Sequence, residues 1–132
     1  MKNLYTIILL TLLSLLMPSL AAAQSFQNVS IADASTVCSI AQDEQGIMWF
    51  GTDHGLYAYD GYRSIPHNTD ADGTPVITRV HSICIFKDIL YMATERGLMA
   101  YDIRRGRYAE RTSGGMGEMR AVTIYGGRLW YG

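Results

Sequence analysis

Neither sign of charge dominates this sequence of 132 residues: 11 Lys and Arg face 12 Asp and Glu, for a formal charge of -1. Binding driven by bulk charge needs a clear excess of one sign, so nucleic acid and anionic lipid are not expected partners. Cysteine is scarce as well. Cys38 and Cys84 are too few for a disulfide scaffold or a cysteine metal cluster. The three histidines, His54, His67 and His81, stand at unrelated positions without a second ligand at metal-binding spacing. No Ser/His/Asp, Cys/His or paired-carboxylate set can be assembled, so the chain reads as non-enzymatic, without metal or cofactor. Past residue 23 no apolar run approaches the ~20 residues that span a bilayer.

What is present begins with an export signal. Lys2 supplies a positive start, residues 4–17 are apolar apart from Thr and Ser, Pro18 interrupts the run, and Ala21-Ala22-Ala23 precedes Gln24. Residues 1–23 therefore read as a signal peptide cleaved between Ala23 and Gln24. The rival reading is an uncleaved anchor, since residues 4–23 are about as long as a membrane span at ~20 residues. Export permits disulfides, but Cys38 aligns with His81 and Cys84 with Ala41 in the repeat described next. The two should then point to opposite faces of their strands. Two small buried hydrophobes are favoured over a disulfide.

From residue 37 onward the chain repeats itself. Residues 37–60 align with residues 80–102 once Gly46 is treated as a one-residue gap, and 10 of 23 positions are identical. Composition alone gives roughly one or two. A third copy starts near Ala121 and reaches Trp130-Tyr131-Gly132, opposite Trp49-Phe50-Gly51. The period is about 40 residues.

Each copy divides into strand-length segments between turn signals, at residues 37–42, 47–52, 56–59 and 62–65 in the first and at 89–94, 98–101 and 107–109 in the second. Apolar residues occupy both parities of Ile47-Met48-Trp49-Phe50, so the inner strands should be covered on both faces. The fourth segment carries Arg63 and Pro66, then Arg105 and Arg107, the character of a sheet edge. Four antiparallel strands per repeat of this length predict an all-β fold of β-propeller blades. A β-sandwich gives no reason for one sequence to recur, and the 3.6-residue period of a helical solenoid is missing. The expected organisation is a segment at 24–36 able to supply a closing strand, a blade at 37–66, a linking loop at 67–79, a blade at 80–112, and the start of a third at 113–132. That makes about two and a third blades, where closed propellers use four to eight.

The wording of the first copy, Val37-x-Ser39-Ile40-x-Gln42-Asp43-x-x-Gly46-x-x-Trp49-Phe50-Gly51-Thr52-x-x-Gly55-Leu56-x-x-Tyr59-Asp60-Gly61, resembles the two-component regulator propeller repeat. The second copy is looser, with Tyr91-Met92-Ala93 at the Trp-x-Gly core. The resemblance implies the N-terminal periplasmic sensor region of a hybrid two-component receptor, detecting an oligosaccharide. It further implies missing blades, a membrane helix and histidine kinase parts, none of which this sequence contains. Fragments of a glycan-acting enzyme propeller or of a protein-interaction scaffold are the alternatives.

Within the repeat, Trp49, Gly51, Thr52, Gly55, Leu56, Tyr59, Asp60, Thr94, Gly97, Leu98, Tyr101, Asp102 and Trp130 read as structural. The aromatic ones recur at blade positions, which assigns them to the core. Asp43, Asp60 and Asp102 stand where turns begin and read as turn caps. Asp53, His54, Glu95 and Arg96 are nominated for ligand contact, because polar residues that vary between equivalent loops of a fixed scaffold are where binding concentrates. Solvated turn residues are the competing reading for those four.

Overall fold

A computed structural model describes residues 1–15, 28–31, 34, 36–109 and 117–132. Helix α1 (Lys2–Leu15) is followed by two four-stranded antiparallel sheets and a two-stranded one. The first sheet holds β1 (Val37–Gln42), β2 (Met48–Thr52), β3 (Gly55–Tyr59) and β4 (Ser64–Pro66) in sequential order. The second repeats that order with β5 (Val80–Phe86), β6 (Ile89–Thr94), β7 (Gly97–Asp102) and β8 (Arg107–Tyr108). A hairpin of β9 (Val122–Tyr125) and β10 (Arg128–Tyr131) forms the third. These are the expected propeller blades. The cleavage positions Ala23 and Gln24 lie outside the described residues, as does most of the segment at 24–36. Among the described residues no helix is long and apolar enough to cross a membrane.

The repeated words of the sequence have local causes. Thr52 is fully buried, its Oγ1 donates to the Gly55 carbonyl at 2.9 Å, and the same oxygen accepts the His54 N–H at 3.0 Å. Thr94 makes the same two bonds with Gly97 and Arg96, at 2.7 and 3.1 Å. Gly55 and Gly97 sit at φ of 111° and 102°, a backbone region that a side chain disfavours, so Thr-x-x-Gly is one closed turn used twice. Asp43 Oδ1 accepts the N–H groups of Gln45 and Ile47, while Oδ2 accepts the Trp49 indole N–H at 2.9 Å. The second blade has Phe86 and Tyr91 at those two places, so the donor and its acceptor are replaced together. Shortening the turn there puts Lys87 at φ 57°, where the third hairpin has Gly126 at 58°.

Packing follows one direction along the chain. Trp49, Leu56 and Ala58 of the first sheet meet Val80, Ile83, Leu90, Met92 and Tyr101 of the second in one buried cluster. The next interface reuses the plan, with Ala93 and Leu98 packed on Met119 and Val122. At the centre of the first interface a Cβ on Gly51 would stand 2.7 Å from Val80 Cγ1, which is why this position takes no side chain. Its counterpart Ala93 is fully buried with its methyl accommodated.

Inner strands also join across blades. Ser39 Oγ accepts the Ile83 N–H at 3.0 Å, and the equivalent Ser82 Oγ accepts the Val122 N–H at 3.4 Å. Both serines follow a register shift, between Val37 and Ser39 and between Val80 and Ser82. In the third blade the Arg120 and Ala121 N–H groups share the Gly132 carbonyl, at 2.7 and 2.8 Å. All three inner strands therefore carry a β-bulge at the same place.

Two expectations are corrected. The inner strands are not uniformly buried: Ile40 is 57% exposed where its counterpart Ile83 is 7%, and Val37 is 43% exposed where Val80 is 1%. The face of β1 that corresponds to the covered side of β5 lacks such a neighbour at these residues. Cys38, expected to be buried, is an exposed free thiol because it occupies the bulge, and Cys84 is free and partly buried. Smaller shifts affect the outer strands. Asp60 Oδ1 accepts the Tyr62 and Arg63 N–H groups, and that turn delays β4 to Ser64.

Two outcomes follow from this packing. Gly51→Ala should destabilise the protein by about 1–3 kcal/mol through overpacking, and Val80→Ala in the same chain should recover part of that loss. Urea unfolding of the double-mutant cycle checks this, and strictly additive effects would contradict the proposed contact. Separately, the exposed Val37, Ile40 and Trp130 should make the isolated chain self-associate. Sedimentation should show Ile40→Lys shifting it toward monomer, and a wild-type chain that is monomeric at all concentrations would contradict the expectation.

Candidate functional site

The nominated loop residues occupy equivalent turns, β2–β3 for Asp53 and His54 and β6–β7 for Glu95 and Arg96. Much of their bonding capacity is already used. The Asp53 N–H donates to the Thr36 carbonyl at 3.1 Å, its carboxylate accepts the Thr36 N–H at 3.2 Å, and His54 Nδ1 stands 3.2 Å from the same oxygen. The Glu95 N–H donates to the Arg79 carbonyl at 3.2 Å, with an Arg79–Glu95 ion pair at 3.9 Å. Thr36 and Arg79 each precede an inner strand, so the two acids pin the chain where it enters a blade. Arg96 differs. Its guanidinium has no carboxylate partner among the described residues, and it lines a groove between the two blades.

That groove, of about 850 Å3, runs between β7–β8 and a small hairpin in the linking loop. The hairpin is well built. Thr69 bridges Pro75, the Asp70 N–H donates to the Thr74 carbonyl at 3.0 Å, and Asp70 Oδ1 accepts the N–H groups of Asp72 and Thr74. At its base the Asn68 side chain accepts the Leu56 N–H at 2.9 Å and donates to the His54 carbonyl at 3.0 Å. The hairpin is thereby fixed to the first blade while it faces the second. Across the groove stand Arg96, Arg105 and Arg107, of which Arg105 is held by Asp102 at 3.4 Å.

A second cleft, of about 240 Å3, opens between the first two sheets and exposes part of an aromatic cluster. His67 is its centre. Its N–H donates to the Leu56 carbonyl at 2.8 Å, its carbonyl accepts the Tyr108 hydroxyl at 2.6 Å, and its Nδ1 shares a hydrogen bond with the Tyr101 hydroxyl at 2.6 Å. Trp49 and Tyr101 flank the imidazole, with ring centroids 5.0 and 5.2 Å away. Burial holds His67 below the usual histidine range and raises both tyrosines. This role was not legible beforehand, since His67 has no counterpart in the repeat and its aromatic partners Trp49, Tyr101 and Tyr108 are 18, 34 and 41 residues away. His81, at the bulge of β5, lies 3.2 Å from Glu118, which also holds Arg120 at 2.8 Å. The His81 contact is close enough for an ion pair without hydrogen-bond alignment. Among the described residues no three His, Cys, Asp or Glu side chains could hold a metal ion.

Comparison with known proteins adds to this geometry. Residues 31–54 match a family model described as a two component regulator propeller. Two crystal structures of the extracellular domain of BT4673 from B. thetaiotaomicron, described as a one component system in one and a hybrid two component system in the other, are similar to this chain. Each is 33% identical to it, covers 83% of it and superposes with a TM-score of 0.69. The extracellular domain of the hybrid two component system BT3049 from the same organism is 25% identical over 80% of the chain, with a TM-score of 0.64. This chain spans only 15% of the BT4673 structures and 17% of that of BT3049. No match is found among curated proteins.

The half-buried imidazole of His67 carries a pH dependence of known sign. A histidine whose folded-state pKa is depressed takes up its proton more readily when unfolded, so stability rises with pH through the window below about 6.5. Acidification from pH 7.5 toward 5 should therefore lower the urea midpoint, and His67→Gln should flatten that part of the slope. A variant with the wild-type slope would remove His67 as the cause.

Proposed function

We propose that this chain, which belongs to the two-component regulator propeller family, is the N-terminal part of the exported sensor region of a two-component signalling receptor. The observation that carries the reading is the 33% identity over 83% of the chain with an extracellular domain described as part of a hybrid two component system. On this reading residues 1–23 direct export to the periplasm and are removed after Ala23. Support comes from the composition of that segment, with its positive start at Lys2, its apolar run and the three alanines before Gln24.

The sensing role is the conversion of ligand binding into a change of state. A ligand shifts a receptor only as far as its affinities for the two states differ, so the useful place to bind is where separately anchored elements meet. The groove between the linking hairpin and β7–β8 has that character, as its walls belong to different blades. Its mixed polar and apolar lining suits an oligosaccharide, which offers hydroxyl groups at its edge and C–H surface on its faces. Further blades continue the ring and cover the exposed side of β1, and kinase parts beyond a membrane helix deliver the signal to the cytoplasm. Catalysis in this reading belongs to those parts.

Fusing residues 1–30 to alkaline phosphatase tests the export step. The fusion should be active in the periplasm and begin at Gln24, whereas inactive or uncleaved product would overturn the signal-peptide assignment. For the sensor role, cells carrying the full-length protein should change reporter transcription when given an oligosaccharide, and removal of residues 37–132 should abolish the response. A response that survives the deletion would overturn it.

A further inference from the structure

We propose that the groove between the 69–75 hairpin and β7–β8 binds an acidic oligosaccharide, whose carboxylate or sulfate groups pair with Arg96 and Arg107. The inference rests on the oligosaccharide-sensing reading above and narrows it to a charge class. It starts from the unequal fates of the charges around the groove. Arg105 is held by Asp102, and Asp70 is committed to the backbone of its own turn. Arg96 and Arg107 have no carboxylate partner among the described residues, and both are exposed on the sheet wall. The two unspent cations thus share one concave surface.

Concavity is what separates these arginines from ordinary surface ones. A guanidinium in open water gains little from an ion pair, about 0–1 kcal/mol. In a groove with apolar ground, a planar guanidinium can meet a carboxylate or sulfate through two parallel hydrogen bonds with less competing water. Val76 and Leu98 supply that ground, both buried and both lining the groove. At about 850 Å3 the space lies within the ~300–1,000 Å3 range of small-ligand sites and holds a chain of several sugars. The opposite wall is acidic, where Asp72 at the hairpin tip is exposed. A ligand with anionic groups must therefore place them against the sheet and keep its neutral edge toward the hairpin. This polarity gives opposite signs for substitutions on the two walls.

The test uses the full chain immobilised on a biosensor surface, titrated with three probes of matched length: tetragalacturonate, a sulfated uronate–hexosamine tetrasaccharide and neutral cellotetraose. An acidic probe should bind and cellotetraose should not, with the two acidic arms separating carboxylate from sulfate recognition. Arg96→Gln with Arg107→Gln should weaken binding by roughly tenfold or more, the loss expected for charge-assisted bonds. Asp72→Asn should strengthen it. Arg63→Gln with Arg104→Gln removes the same charge outside the groove and should leave affinity unchanged. Equal weakening by both double variants would reduce the effect to bulk electrostatics and overturn the site. Binding of cellotetraose alone would overturn the acidic class while sparing the oligosaccharide reading, and failure of all three probes would overturn both.

Discussion

Everything in this structure depends on one face-to-face contact, the stacking of each sheet on the sheet that follows it in sequence. No blade covers both of its own faces, so its stability comes from the next. Leu90, Met92 and Tyr101 are essentially fully buried at the first interface. At about 1.5–3 kcal/mol for each large apolar side chain removed from water, these three outweigh the exposed ion pairs Arg63–Asp60 and Arg104–Asp88, which solvent screens. Gly51 allows the close approach, and Ser39 ties the inner strands across it. The polar bonds set the register of the stack while apolar burial holds it.

Much of this was legible in the sequence, because repetition displays a local constraint more than once. Thr52 and Thr94 recur with their glycines since one turn needs both residues, and Asp43 disappears in the same copy as Trp49 because each serves the other. Both-sided apolar character in residues 47–50 announced cover on two faces, and Trp49 and Phe50 are indeed buried. The exposure of β1 was not legible, since burial depends on a neighbour and an isolated strand sequence names none. His67 and the groove escaped for a related reason. They are built from segments that the topology brings together once, at residues 49, 67 and 101 and at residues 69–76 and 96–107, and nothing in the repeat encodes them.

The division between repeated and unrepeated residues is also a division of labour. Repeated positions close turns and fill interfaces, and the features with room for a ligand lie between them. The linking hairpin shows how this arises. Asn68 fastens it to the turn of the first blade, Asp70 shapes its tip, and the same segment leads into β5 of the second. A loop attached at both ends to different blades reports on their relative position, which a loop within one blade cannot do.

The bulge on each inner strand has a consequence of another kind. Two residues there oppose one across the ladder, so the extra residue has no cross-strand partner to match in size or charge. The three blades place a thiol, an imidazole and a guanidinium at that spot, in Cys38, His81 and Arg120, around an otherwise unchanged backbone. The fold thus repeats a socket without repeating its contents. A chain built from many such blades carries a series of positions whose chemistry can be rewritten one at a time while the hydrogen-bond ladder beneath them stays the same.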